Sequence, residues 1–218
     1  MAPVTQPLRY LTLASPAAAE LEVKRSRFRC ELAPVSSEEE ARAFVADVRA
    51  DHRDARHHCT AFVVGADGAT QRSNDDGEPS GTAGAPMLEV LRGRDLTDVA
   101  AVVCRWFGGT LLGTGGLIRA YADAVSLALD DARVLARERR EGIVVDVDHA
   151  TGPRLEHALR GLPTTGVTAV EYGADGIRLH VATAPGSAGA VTATVAAVTS
   201  GRGRLGPGPS TWVDADDA

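Results

Sequence analysis

The sequence predicts an α+β protein of two units, and three observations carry that prediction. An unbroken apolar strand, Val99 to Cys104, runs into a glycine-rich turn and then into an amphipathic helix. From Glu141 the pattern restarts, and its periodicities follow the order β-α-β-β-α-β. Asp175-Gly176, set between two alternating segments, is a hairpin signal. The units predicted are therefore residues 1–140 and 141–218.

In the first unit, Glu20 to Leu32 reads as one half-buried strand. Arg25, Arg27 and Arg29 lie on one face, and Ser26, Phe28, Cys30 and Leu32 on the other. With Lys24, the arginines offer a basic stripe to a nucleic acid or an acidic protein; a solvated, guarded edge has the same pattern. Ser37 and Glu40 have capping-box spacing, and Ala41, Phe44, Val45 and Val48 recur on one face of a helix ending near Asp51. His57 to Val64 is apolar enough on both faces to be a central strand.

His57 and Cys59, two apart on that strand, have the spacing of two zinc ligands. No second pair completes a site, so no metal is assigned there, and His57 and His58 are left as hydrogen-bonding groups or a general base. Gln71 to Gly84 is turn-forming throughout and carries Asp75, Asp76 and Glu78 with Ser80 and Thr82. Its three carboxylates suit Mg²⁺ or proton transfer, and such clusters are also common in plain turns. A short helix then runs from Pro86 to Gly93.

Arg105 stands at the end of the apolar strand. Gly108, Gly109, Gly113, Thr114, Gly115 and Gly116 form a turn whose backbone N–H groups can face an anion at the helix N-terminus, with Arg105 or Arg119 assisting; a tight connection without ligand is the plain alternative. Lys24 is the only lysine, so the turn is not a Walker loop. Leu117 to Leu135 repeats at three and four residues. Arg133, Arg137, Arg139 and Arg140 then read as complementing that helix's C-terminal dipole.

The second unit reads as strand Ile143–Asp148, helix Gly152–Leu159, strands Gly166–Tyr172 and Ile177–Thr183, helix Ser187–Val198 and a last strand near Gly203–Trp212, a ferredoxin-like order. Nothing in it forms a catalytic set, and His149, His157 and His180 have no evident partner.

A net charge of −6 argues against a protein coated in positive charge. Cys30, Cys59 and Cys104 are dispersed and odd in number, which points to a reducing, cytoplasmic setting without a disulfide framework. The run Tyr10 to Ala19 is too interrupted for a signal peptide, and no stretch is long enough to span a bilayer.

KRSRF at 24–28, HHC at 57–59, NDDGEPSGTAGAPML at 74–88 and RWFGGTLLGTGG at 105–116 resemble the YigZ/IMPACT family in its bacterial two-domain form. Asn74 departs from the serine or aspartate of relatives. The resemblance implies a first domain like the second domain of a small-subunit ribosomal protein, with a left-handed β-α-β crossover, and a second like the last domain of elongation factor G. It also implies a link to translation, since eukaryotic relatives compete for an activator of the starvation-responsive initiation-factor kinase.

Two functions follow as expectations. In the first, the chain is a translation-associated binding protein, contacting RNA, ribosome or a protein through Lys24, Arg25, Arg27, Arg29 and the loops. In the second, it is an enzyme or sensor for a phosphorylated small molecule held by Gly113 to Gly116, with Mg²⁺ at Asp75, Asp76 and Glu78. No nucleophile–base pair can be named, no other cofactor is implied, and oligomeric state is open.

Overall fold

The computed structural model describes residues 7–215, which form ten strands and five helices and divide after Arg137 into two compact units. The architecture is α+β, with two sheets.

Unit 1 is built on a sheet of order β2-β3-β6-β4-β5, comprising Ala17–Val23, Ser26–Pro34, Val99–Trp106, His57–Val64 and Thr70–Asn74. Strand β6 is central because VAAVVC is apolar on both faces. Val99, Ala101 and Val103 join one core with helices α2 (Gly84–Gly93) and α3 (Thr114–Asp130). Ala100, Val102 and Cys104 face the other way, toward the side of α1 (Glu38–Asp51). Strands β3 and β4 are both antiparallel to β6 and so parallel to each other, joined through α1. The strand β1 (Arg9–Leu13) pairs with β7 (Val134–Val147), in which the unit boundary falls.

Local chemistry explains the element ends. Ser37 Oγ accepts from Glu40 N at 3.1 Å, while the Glu40 carboxylate accepts from Ser36 N and Oγ rather than from the cap's own N–H. The Asp76-Gly77 turn has φ of 45° and 85°, with Glu78 N donating to Asp75 O at 2.9 Å. Both central residues thus lie where Asp and Gly are tolerated.

Three expectations are corrected. The stretch Glu20 to Leu32 is two strands, not one. Lys24 and Arg25, at φ 48° and 65°, form a two-residue hairpin between Val23 and Ser26, so Arg25 sits in the turn and leaves the stripe. Neither residue is a usual turn former, which hid the hairpin from the sequence. Residues 71–74, expected in a loop, belong to edge strand β5, whose polar side chains are mostly exposed while its backbone pairs with β4. Helix α3 stops at Asp130, and residues 134–147 are strand β7. Arg137, Arg139 and Arg140 therefore lie on a strand instead of at a helix end, because sheet pairing overrides the helical preference of Arg and Glu.

Unit 2 keeps the order read from the sequence: β7, α4 (Gly152–Arg160), β8 (Thr165–Tyr172), β9 (Ile177–Thr183), α5 (Ala188–Thr199) and β10 (Arg204–Asp214). Its strands lie in the order β10-β7-β9-β8, and Val145, Leu155, Leu159, Leu179, Val181, Val191 and Val195 fill its core. His180, expected to stand alone, has Nε2 at 2.9 Å from Glu171 Oε1.

Gly108 is the tightest contact of the glycine-rich turn. A Cβ there would lie 2.0 Å from the carbonyl carbon of Arg25, so the β2–β3 hairpin packs directly on the turn. Around Gly115 nothing lies within 4 Å of the same position, and its φ is ordinary. Gly108→Ala should therefore cost about 2–3 kcal/mol or more, whereas Gly115→Ala should leave stability unchanged or raise it by up to about 1 kcal/mol. Urea unfolding of the two variants beside the parent checks this, and equal midpoints for both would contradict the packing.

Candidate functional site

The quoted segments converge on Arg105. It lies on the α2/α3 face of β6, since residues 99, 101 and 103 face that way, and β4 places His57 opposite it in register. The Arg105 side chain is 7% exposed and its Nη1 donates to Glu78 Oε1 at 2.5 Å, the glutamate being 4% exposed. Tyr121, from the buried face of α3, donates its hydroxyl to the same oxygen at 2.8 Å. His57 Nε2 stands 3.9 Å from it. The guanidinium also lies 5.3 Å from the Phe28 ring centroid and 5.8 Å from that of Phe107, and Phe28 meets Tyr121 edge to face at 5.2 Å.

Desolvation makes this cluster consequential. Two charges out of water need each other, and removing one partner of such a pair costs about 3–5 kcal/mol. Burial, then the nearby Cys59 and Glu78, push the Tyr121 phenol far above its ordinary pKa, so it remains a donor. Cys59 is buried with Sγ 3.1 Å from Asp75 O and 3.3 Å from Tyr121 OH, and burial raises its thiol to about 12, which keeps it protonated and unreactive.

The three acidic side chains diverge. Asp75 turns to the N-terminus of α2, where Oδ1 accepts from Ala83 N at 3.0 Å and Gly84 N at 2.8 Å, and Oδ2 from Gly81 N at 2.8 Å. Desolvation pushes this carboxyl up, but the three N–H bonds outweigh it and hold the pKa below the ordinary 3.8. Asp76 points to β4 and α1, accepting from His58 N at 2.7 Å and pairing with Arg49 Nη2 at 2.6 Å. Against desolvation, these two bonds lower its pKa also. Only Glu78 reaches the Arg105 cluster. Among the described residues no group of three or more His, Cys, Asp or Glu side chains is gathered to hold a metal ion.

The other expected residues are distributed as follows. Ser80 is exposed and Thr82 is buried, its hydroxyl donating to Pro79 O at 2.6 Å. His57 and His58 point to opposite faces of the sheet. His57 Nδ1 lies 2.8 Å from Asp76 O, and His58 Nε2 2.9 Å from His52 O. Arg29 pairs with Glu31 at 2.8 Å and Arg27 stacks on Trp106 at 3.9 Å, so the stripe is largely occupied; Arg25 donates to Thr110 Oγ1 at 3.2 Å, and Lys24 is exposed. Gly109, Gly113 and Gly115 border open space, Thr114 and Arg119 are exposed, and α3 begins with neither a side-chain cap nor an acidic residue in its first turn. Tyr121 and Arg49 were not foreseen as members of these networks. A tyrosine on an apolar helix face was the available clue, because its hydroxyl needs a partner.

The fold and this cluster define a two-unit α+β protein whose first unit is braced internally by charge and displays a glycine-rich turn. Residues 24–129 match the Impact N-terminal domain. The chain is 44% identical over 151 residues to the IMPACT family member YvyE of Bacillus subtilis, covering 69% of this chain and 70% of that one. It is 49% identical over 133 residues to YigZ of Escherichia coli, covering 60% and 64%. A crystal structure described as that of an hypothetical protein superposes with a TM-score of 0.73 at 36% identity, over 93% of this chain and 98% of the other. The chain belongs to the IMPACT family.

Two outcomes test the site. Glu78→Gln should lower stability by about 3–5 kcal/mol by leaving Arg105 buried without its counter-charge, and adding Arg105→Met should recover part of the loss. Non-recovery in urea titrations would mean that the pair is not the source. For Asp75, a depressed folded pKa gives stability that is present above the ordinary 3.8 and lost as pH falls through the folded value. Asp75→Asn should therefore unfold more easily than the parent at neutral pH, by about 1–3 kcal/mol. The two midpoints should converge as pH falls through the folded value, and a constant difference would contradict the capping role.

Proposed function

We propose that this chain is a cytoplasmic binding protein that acts on the translation apparatus through unit 1, with the ferredoxin-like unit 2 as a second binding or bracing module. One observation carries this reading: Asp75, Asp76 and Glu78 are each engaged in contacts that hold the fold, while the adjoining glycine-rich turn stays open to solvent. Carboxylates used as a helix cap, a loop anchor and a buried counter-ion are poorly placed to carry substrate chemistry. A braced, open turn suits recognition, because a preorganised surface loses less freedom on binding. The IMPACT membership supplies the translational setting, as the eukaryotic members regulate translation. No helix among the described residues is long and apolar enough to cross a membrane.

The test is sedimentation of the full chain through a sucrose gradient with ribosomes and translation extract, paired with a thermal-shift panel of nucleotides and sugar phosphates with and without Mg²⁺. The expected outcome is co-migration with a translation component and no Mg²⁺-dependent stabilisation. A Mg²⁺-dependent rise abolished by Asp76→Asn would replace this reading with the phosphorylated-ligand one.

A further inference from the structure

The glycine-rich turn leaves three large apolar side chains in water. Leu111 is 82% exposed, Phe107 42% and Ile118 41%. They fall within a dozen residues of one another, and local geometry brings the turn onto the start of α3. A Cβ at Gly116 would lie 3.0 Å from Leu112 Cβ, and Leu112 packs against the core, so the turn folds back on the first helical turn with Leu111 outermost. Gly115, Ile118 and Arg119 share the exposed face of α3 at three- and four-residue spacing. The hairpin residue Arg25 reaches Thr110 next to Leu111, and its backbone packs on Gly108.

Charge distinguishes this face from the rest of the molecule. The chain carries 29 Asp and Glu and a net charge of −6, yet no acid occurs from Val99 to Ala122. Of the exposed cations, Arg25 reaches Thr110 beside Leu111 and Arg119 follows Ile118 on α3, with Asp123 the nearest acid along α3, four residues past Arg119. The uncapped first turn of α3 adds backbone N–H groups on the same side.

An RNA would gain little from exposed leucine and isoleucine, and of the two adjoining aromatics only Phe107 is open to stacking, because Trp106 is covered by Arg27 and donates its indole N–H to Asp54 at 2.8 Å. We infer that the face formed by Phe107, Leu111, Ile118, Arg25 and Arg119 docks an acidic protein segment bearing apolar side chains. This deepens the binding function proposed above and rests on it. The apolar residues of the segment cover Leu111 and Ile118, and its carboxylates meet Arg25, Arg119 and the α3 N–H groups. Electrostatics then contributes specificity and association rate, and the apolar contact contributes the hot spot.

The experiment is selection of a random peptide library on the full chain, with counter-selection on full-chain Leu111→Glu, followed by titration of the enriched peptides by fluorescence anisotropy. Leu111 is so exposed that the variant should share the parent's urea midpoint, which is measured first. The expected peptides are net acidic with at least two apolar residues, bind at least about tenfold more weakly to Leu111→Glu, and lose about threefold or more to Arg25→Ala/Arg119→Ala or to raised salt. Enrichment of neutral or basic peptides, or no discrimination by Leu111→Glu, overturns the inference. So does a Leu111-dependent self-association in sedimentation, or RNA-homopolymer binding abolished by Leu111→Glu. Ribosome co-migration that survives Leu111→Glu, together with a failed selection, would remove this surface and leave the function standing; loss of co-migration in the parent chain would remove the function itself.

Discussion

The buried pair between Arg105 and Glu78 is the constraint on which unit 1 depends. Strand β6 must carry an arginine out of water to place it there, and only a carboxylate at bonding distance makes that tolerable. The loop from Asp75 to Ala83 supplies the carboxylate, and Tyr121 of α3 shares it. Three separate segments are thereby tied at one point: the end of the central strand, the acidic loop and the helix after the glycines. Breaking the pair costs more than the pair adds, because the partner left behind, and the Tyr121 hydroxyl with it, would stay buried without its counter-group.

The neighbouring carboxylates extend the same logic. Asp75 satisfies backbone donors at the start of α2, and Asp76 anchors the loop to β4 and α1, so a stretch that reads as an acidic cluster is a set of three outward-turning ties. On the other side, Gly108 lets the β2–β3 hairpin lie against the turn with its backbone in contact. The turn is thus held at Gly108 and through Leu112 against the core, while Gly109, Gly113 and Gly115 border open space.

Much of this was legible in the residues. The two faces of Val99 to Cys104 announced a central strand because both are apolar, and Ile177 to Thr183 is the strand its alternation predicted. Signals failed where backbone pairing overrode side-chain pattern. The hairpin at Lys24-Arg25 uses residues that rarely accept positive φ, β5 is polar because it lies at an edge, and the arginine-rich run after α3 becomes a strand because it has partners to pair with. The basic stripe dissolved through its neighbours: Glu31, two residues along the same strand face, engages Arg29, and Trp106, from the distant strand β6, covers Arg27, a contact that periodicity does not reveal.

By itself the sequence determined which faces are apolar, where the glycines permit close approach or unusual φ, and that two units follow one another, because these properties are local to a residue and its periodic neighbours. Only the tertiary structure decided that Asp75, Asp76 and Glu78 part company, that Glu78 comes to His57 and Asp76 to His58, and that Tyr121 completes a buried charge pair. These are relations between segments tens of residues apart. They are set by which buried polar group finds a partner once the chain has closed around it, and no spacing along the chain encodes them.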